Sequence, residues 1–263
     1  MKIIANLYEH LLEAELKQTP EADLLPETVR RCFVNWGGFE GLYLIRKLVG
    51  EAERVLVIGD WWGRDYWSLR ILGKKVTALD IAPQKGIDHL IQGDVTKPLP
   101  FRDNTFDAVV MGEVLEHLIE DKLALENISQ VLTPKGRLIL TVPFLHDEPE
   151  YHVRVHTPKS IRRLLEACGF EVRTFVTRGL VSLDYRAFKM LVHSFNLCSY
   201  IFTKRTYYCR ILTWLSELSL QIGQKAPGVL RYPRYWGGYL ECCKTEKRDF
   251  RKMNIKVFST LCQ

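Results

Sequence analysis

The sequence predicts an α/β protein built on a mostly parallel sheet covered on both faces by helices. Two observations carry this. From Arg54 onward, short apolar runs rich in β-branched residues alternate with amphipathic stretches of helical length. One of these runs, Val55-Leu56-Val57-Ile58, ends in the turn Gly59-Asp60-Trp61-Trp62-Gly63, and the next, Val76-Thr77-Ala78-Leu79, ends in the carboxylate of Asp80. An acidic residue about twenty positions after a strand-ending glycine is the spacing at which α/β folds hold the ribose hydroxyls of a nucleoside.

Before the alternation begins, residues 1–50 read as helical. Ile4, Leu7, Tyr8, Leu11 and Leu12 recur at helical spacing. The acids Glu9, Glu13 and Glu15 in this stretch argue against a leader peptide. A second helix is predicted over 26–33, where Glu27 complements the N-terminal dipole. Asn35-Trp36-Gly37-Gly38-Phe39 reads as a break, and 42–49 as a third helix.

Strands are then predicted at 54–59, 75–80, 89–93, 106–112, 136–143 and 171–177, with helices near 63–72, 119–132 and 157–168. Thr157-Pro158 supplies an N-cap and a first-turn proline for the last of these. The segment 179–235 interrupts the rhythm and reads as a helical insert, in which Tyr208, Ile211, Leu212, Leu215, Leu218 and Ile222 mark an amphipathic helix. A last strand, 238–244, follows Gly237-Gly238, and the tail from 247 is basic.

Composition bounds the function. At 47% hydrophobic and 26% charged, the chain has the make-up of a globular domain, and no apolar run approaches membrane-spanning length. The net charge of +6 permits an anionic partner without demanding one. The seven cysteines are scattered and never form C-x-x-C, which fits reduced thiols and a cytoplasmic location.

Further segments follow the glycine turn in order: Gly93-Asp94-Val95, then Asn104-Thr105-Phe106-Asp107, then Gly112-Glu113-Val114-Leu115-Glu116-His117, then Leu132-Thr133-Pro134-Lys135-Gly136, and finally His156-Thr157-Pro158 ahead of Ala167-Cys168-Gly169-Phe170. The series resembles the class I S-adenosylmethionine-dependent methyltransferases, in particular the small-molecule group with E-V-L-E-H after the fourth strand. The resemblance covers roughly 54–177 and extends to the last strand.

It implies a Rossmann-like, doubly wound seven-stranded sheet with an antiparallel last strand. The core would comprise 51–178 and 236–246, with 1–50 as an N-terminal helical cap and 179–235 as an insert on the acceptor side. It also implies S-adenosyl-L-methionine as cofactor. Gly59 and Gly63 would flank its methionine part, with Asp60 reaching the amino group and Trp61 beside the cofactor in the same loop. Asp80 and Ile81 would lie at the ribose, Asp94 and Val95 at the adenine, and Gly112 and Glu113 along the cleft.

The expected partner is a small organic methyl acceptor (a sugar, lipid-linked or natural-product intermediate), and no nucleic acid is expected. The loop departs from the family in carrying Trp61 where a middle glycine is usual. A left-handed Trp would cost roughly 1–2 kcal/mol, so the loop must either take another path or be strained.

The base, where the acceptor needs one, is sought among His146, Tyr151 and His152 in the loop after the fifth strand, and His117. The histidines of that loop lack fixed ligand spacing, and no metal site is expected from them. Two other readings compete. One is a non-catalytic binding protein in which Trp61 fills the methionine pocket. The other is a short-chain nicotinamide-dependent reductase, whose catalytic pair is imitated by Tyr185-x-x-x-Lys189 and Tyr200-x-x-x-Lys204.

Overall fold

The computed structural model of the chain describes residues 2–18, 23–34, 36–82, 86–144, 152–177, 185–225 and 237–245. In chain order its elements are α1 (Lys2–Leu16), α2 (Glu27–Arg30), a 3-10 turn (Arg31–Val34), α3 (Trp36–Val49), β1 (Arg54–Ile58), α4 (Arg64–Arg70), β2 (Lys75–Asp80), β3 (Leu90–Gln92) and β4 (Phe106–Gly112). A second 3-10 turn (Leu115–His117) precedes α5 (Asp121–Val131), β5 (Leu132–Pro143), α6 (Pro158–Ala167), β6 (Phe170–Thr177), α7 (Tyr185–Thr203), α8 (Tyr208–Lys225) and β7 (Gly237–Lys244).

The strands form one seven-stranded sheet in the order β3-β2-β1-β4-β5-β7-β6. β7 runs antiparallel to both β5 and β6, and the pairings among β1 to β5 are parallel. The order reverses between β1 and β4, which opens a crevice at the C-terminal ends of those strands, where α/β sheets bind ligands.

Alternation along each strand builds the two cores. Leu56 and Ile58 of β1 face one side with Val109 and Met111 of β4, packed on Ala124, Leu125 and Ile128 of α5 and Ile161 and Leu165 of α6. Val55 and Val57 face the other side with Ala108 and Val110, packed on Leu44, Ile45 and Leu48 of α3, Leu69 of α4 and Leu220 of α8. The central strands are apolar on both faces because both are covered.

α6 begins as predicted: the Thr157 hydroxyl accepts the Ser160 N–H at 3.0 Å while the Ser160 hydroxyl accepts the Thr157 N–H at 2.8 Å, with Pro158 in the first turn.

Three elements differ from expectation. The stretch Trp36 to Phe39, read as a break, is the first turn of α3. Gly38 serves packing, since a Cβ on it would lie 3.1 Å from the Cys32 sulfur. β5 begins at Leu132 rather than 136, because buried Leu132 pairs with Phe106 before a register shift. The insert holds α7 as well as the amphipathic α8. Among the described residues, no helix is long and apolar enough to cross a membrane.

Candidate functional site

β1 delivers the chain into its turn at Gly59, whose φ of 71° is the left-handed conformation glycine adopts without a Cβ penalty. Its N–H donates to the Leu79 carbonyl at 2.9 Å, tying the turn to β2. A Cβ there would collide with the Val114 side chain after β4, so the two loops meet at this glycine. The Asp60–Gly63 turn closes with the Gly63 N–H on the Asp60 carbonyl at 2.9 Å, and Gly63, at φ 68°, is the N-cap of α4.

Trp61 and Trp62 therefore occupy the middle of a β-turn, neither with positive φ, and both are about two-thirds exposed. The loop takes another path, and the strain a left-handed Trp would carry does not arise. Nor does Trp61 plug the crevice, as the binding-protein reading requires.

The Asp60 carboxylate turns inward and accepts the Tyr66 N–H at 2.7 Å, capping the first turn of α4. Burial first, and the Asp65 carboxylate second, push its pKa up to about 7. Arg64 and Asp65 form a bidentate pair, Nε to Oδ1 at 2.6 Å and Nη2 to Oδ2 at 3.0 Å. Burial pulls the guanidinium down, but the pair with Asp65 outweighs it and Arg64 is raised.

Glycines on two sides admit this pair. A Cβ on Gly41 of α3 would lie 2.6 Å from Arg64 Nη1, and one on Gly112 would lie 3.2 Å from Asp65 Oδ2. Next to Gly112, Glu113 is a non-glycine residue at φ 54°, a conformation costing roughly 1–2 kcal/mol. It is held there by two bonds to Thr141 of β5, N–H to carbonyl at 3.0 Å and the Thr141 hydroxyl to the carboxylate at 2.8 Å.

These residues line a cavity of about 600 Å³ at the β1/β4 switch point. Of the ten residues expected at a cofactor, Gly59, Asp60, Trp61, Gly112 and Glu113 are in its wall. Gly63 lines a smaller adjoining cavity of about 180 Å³. Asp80, Ile81, Asp94 and Val95 lie along the same C-terminal edge, at the ends of β2 and β3 and outside both walls.

Asp80 accepts the Ala82 N–H at 2.9 Å, and its carbonyl accepts the Gly93 N–H at 2.8 Å. Asp94 accepts both the backbone N–H and the hydroxyl of Thr96 at 2.8 Å, which lower its pKa. Val95 is buried in the core, while Ile81 is exposed.

Sequence reading missed the opposite wall of the large cavity: Thr28, Arg31, Cys32 and Gly38 from the N-terminal helices, facing Arg64 and Asp65. Nothing in local spacing joins positions so far apart; only Gly38 and Gly41, two glycines in a helix, hinted at a close approach.

Among the candidates for a base, His146 and Tyr151 lie outside the described residues. His152 packs edge-on against His117, ring centroids 4.9 Å apart. Of the reductase-like pairs, the side chains of Tyr185 and Lys189 lie outside the described set. Lys204 sits over the Tyr200 ring at 5.2 Å, and both line a separate cavity against α1, not the crevice.

The cavity suits the cofactor's size. A cradle that cannot admit a Cβ at Gly59, an inward carboxylate at Asp60 and a carboxylate at the end of β2 fit a charged amino-acid group and a ribose.

Comparisons with known proteins agree. The family described as "Methyltransferase domain" matches residues 62–140. The chain is 26% identical over 168 residues to the glycine/sarcosine/dimethylglycine N-methyltransferase of Actinopolyspora halophila, covering 54% of this chain and 27% of that protein. It is 30% identical over 111 residues to the ubiquinone biosynthesis O-methyltransferase of Xanthomonas oryzae pv. oryzae, covering 38% of this chain and 46% of that one. The chain thus spans between about a quarter and a half of the length of these relatives.

Among solved structures, the Burkholderia thailandensis 1,6-didemethyltoxoflavin-N1-methyltransferase, with its substrate and S-adenosylhomocysteine bound, shares the fold at TM-score 0.51 and 15% identity. That match covers 93% of this chain and 90% of that one. Strand order, crevice and the family match over residues 62–140 agree in giving this chain the fold of the class I S-adenosylmethionine-dependent methyltransferases.

Proposed function

We propose that the chain transfers the methyl group of S-adenosylmethionine to a small organic acceptor. The observation that carries this is the crevice at the β1/β4 switch point, bounded by the Gly59–Gly63 turn on one side and Gly112-Glu113 on the other. When bound there, S-adenosylmethionine supplies a methyl group already activated on a sulfonium, so the protein's task is alignment and exclusion of water. Alignment of this kind is worth up to ~7–11 kcal/mol of a barrier.

In this reading the turn receives the methionyl group, with backbone N–H groups of the glycine turn toward its carboxylate and the Asp60 carboxylate toward its ammonium. Asp80 and Ile81 take the ribose, and Asp94 and Val95 the adenine. Glu113, fixed by Thr141, forms the floor toward the acceptor.

The N-terminal helices of 1–50 cap the cofactor side, the core of 51–178 with 236–246 carries it, and 179–235 forms the acceptor side. The names of the relatives cover both O- and N-methylation, so the acceptor is assigned by class: a small organic nucleophile, sugar-, lipid-linked or natural-product in type.

Isothermal titration tests the reading. S-adenosylhomocysteine is expected to bind one-to-one at micromolar affinity, and NADP not at all. A chain that binds neither, or NADP alone, overturns the proposal. Transfer of labelled methyl groups to a panel of hydroxyl and amine acceptors then reads the activity directly.

A further inference from the structure

The fold brings His152 to the adjacent pair Glu116 and His117, which precede it in the chain by about thirty-five residues. Glu116 and His117 stand in the 3-10 turn after β4, and His152 stands in the segment after β5, on the same C-terminal edge as the crevice. One ligating atom from each lies within 4.8 Å of the others. Glu116 is 1% exposed, whereas the His117 side chain is 37% exposed and His152 half-buried.

The arrangement is held from several directions. The N–H groups of Val153 and Arg154 both donate to the Glu116 carbonyl at 3.0 Å, pinning the segment that carries His152 to the turn. Arg154 then reaches across, its Nη2 donating to the Ile119 carbonyl at 2.7 Å and its Nε lying 3.4 Å from Asp121. At the far end, His156 pairs with Phe144 at the end of β5.

Two imidazole nitrogens beside a carboxylate are the donor set that divalent cations of the zinc–manganese–iron kind take. Bonds of about 2.0–2.2 Å require neighbouring donors roughly 3.4 Å apart. The present spacing of at most 4.8 Å is wider than that, and side-chain rotation on cation binding closes it.

We propose that Glu116, His117 and His152 form a divalent-cation site on the acceptor side of the crevice. Three protein donors leave coordination positions open, the condition for a site that takes a ligand rather than one that only braces the fold. Glu116 stands three residues beyond Glu113, which lines the crevice. Resting on the methyl-transfer reading, the open positions serve an acceptor oxygen or nitrogen and orient it toward the donor. This also accounts for two features the cofactor does not use: the buried Glu116 and the His117–His152 contact.

Mn²⁺ is the suitable probe, since the chain's cysteines favour softer ions. Titrating the full chain with MnCl₂ and following the free-ion signal by electron paramagnetic resonance is expected to show one saturable site. His152→Ala, in a half-buried segment, is expected to weaken it about tenfold or more while leaving the circular dichroism unchanged. Glu116→Gln is expected to do the same where it folds. Absence of saturable Mn²⁺ binding in the unaltered chain, or undiminished binding in His152→Ala, overturns the site.

A parallel calorimetric titration with S-adenosylhomocysteine separates the two readings. Mn²⁺ bound without S-adenosylhomocysteine overturns methyl transfer and leaves the cation site standing. The converse overturns the cation site alone.

Discussion

At the scale of the residue, Asp60 is where stability and ligand binding pull apart. Its carboxyl is raised from 3.8 to about 7 by burial and by Asp65. The folded state therefore holds this proton more tightly than the unfolded chain. The stability it contributes is fully present below pH 4 and is lost as the pH rises toward and through 7. Asp60→Asn keeps an oxygen for the Tyr66 N–H and removes the ionisation. Relative to the unaltered chain, its unfolding free energy in urea is expected to gain up to roughly 4 kcal/mol between pH 4 and 8. The same variant is expected to bind S-adenosylhomocysteine more weakly, by the ~1.5–3 kcal/mol that a charge-assisted bond to the ammonium supplies. If stability and affinity moved together, the assignment of Asp60 to the ammonium would fail. Trp61 is the contrasting case. It is 66% exposed on a turn of ordinary φ, so Trp61→Gly is expected to change that affinity only a few-fold. Appearance of binding solely in the glycine variant would instead mark Trp61 as a plug.

At the scale of the element, the close approaches of helix to sheet set what can change. α8 meets β6 most tightly at Gly223, where a Cβ would lie 2.7 Å from the Phe175 carbonyl oxygen and 2.8 Å from a Val176 methyl. Helix propensity alone favours Ala over Gly by about 1 kcal/mol, but the contact is to backbone, which cannot swing aside. Gly223→Ala is therefore expected to destabilise by about 1–3 kcal/mol, seen as a lower denaturation midpoint with an unchanged slope. A stabilised variant would mean that α8 sits further from the sheet. The strands were legible in the sequence for a plain reason: buried parallel strands need β-branched residues on both faces, and Val55 to Ile58 and Ala108 to Met111 supply them. α7 was not, because the face its apolar residues share does not pack into the core. Leu191, Phe195 and Phe202 recur on one face and are exposed while Val192 is buried, so its apolar stripe does not mark the side that faces the protein. The start of α3 was misread because two adjacent glycines signal a break when sequence alone is weighed, and only the neighbouring Cys32 explains the second of them.

At the scale of the whole molecule, the crevice is made by parts far apart in the chain. Half of it could be read, since Gly59, Asp60, Gly112 and Glu113 stand at strand ends whose spacing is local. The other half could not, because Thr28, Arg31 and Cys32 reach it only when α2 and the 3-10 turn fold over the switch point. That closure has a measurable consequence. Leu25 and Val29 anchor this segment in a cluster with Phe39, Leu42 and Leu212, separate from the two cores that flank the sheet. A ligand in the crevice touches both the segment and the sheet, so it binds the closed arrangement and suppresses local opening. Hydrogen exchange of a peptide covering 26–34 is expected to slow on saturation with S-adenosylhomocysteine, by as much as a hundredfold at a hundred times its Kd where exchange runs through that opening. Slowing is also expected at 59–66, as the proposed contact of Asp60 with the ligand requires, and not at β6 and β7 on the far edge. Protection confined to 59–66 would mean that the N-terminal helices stand over the cofactor site without taking part in it. Protection of both segments together would make residues 1–50 a working wall of the site.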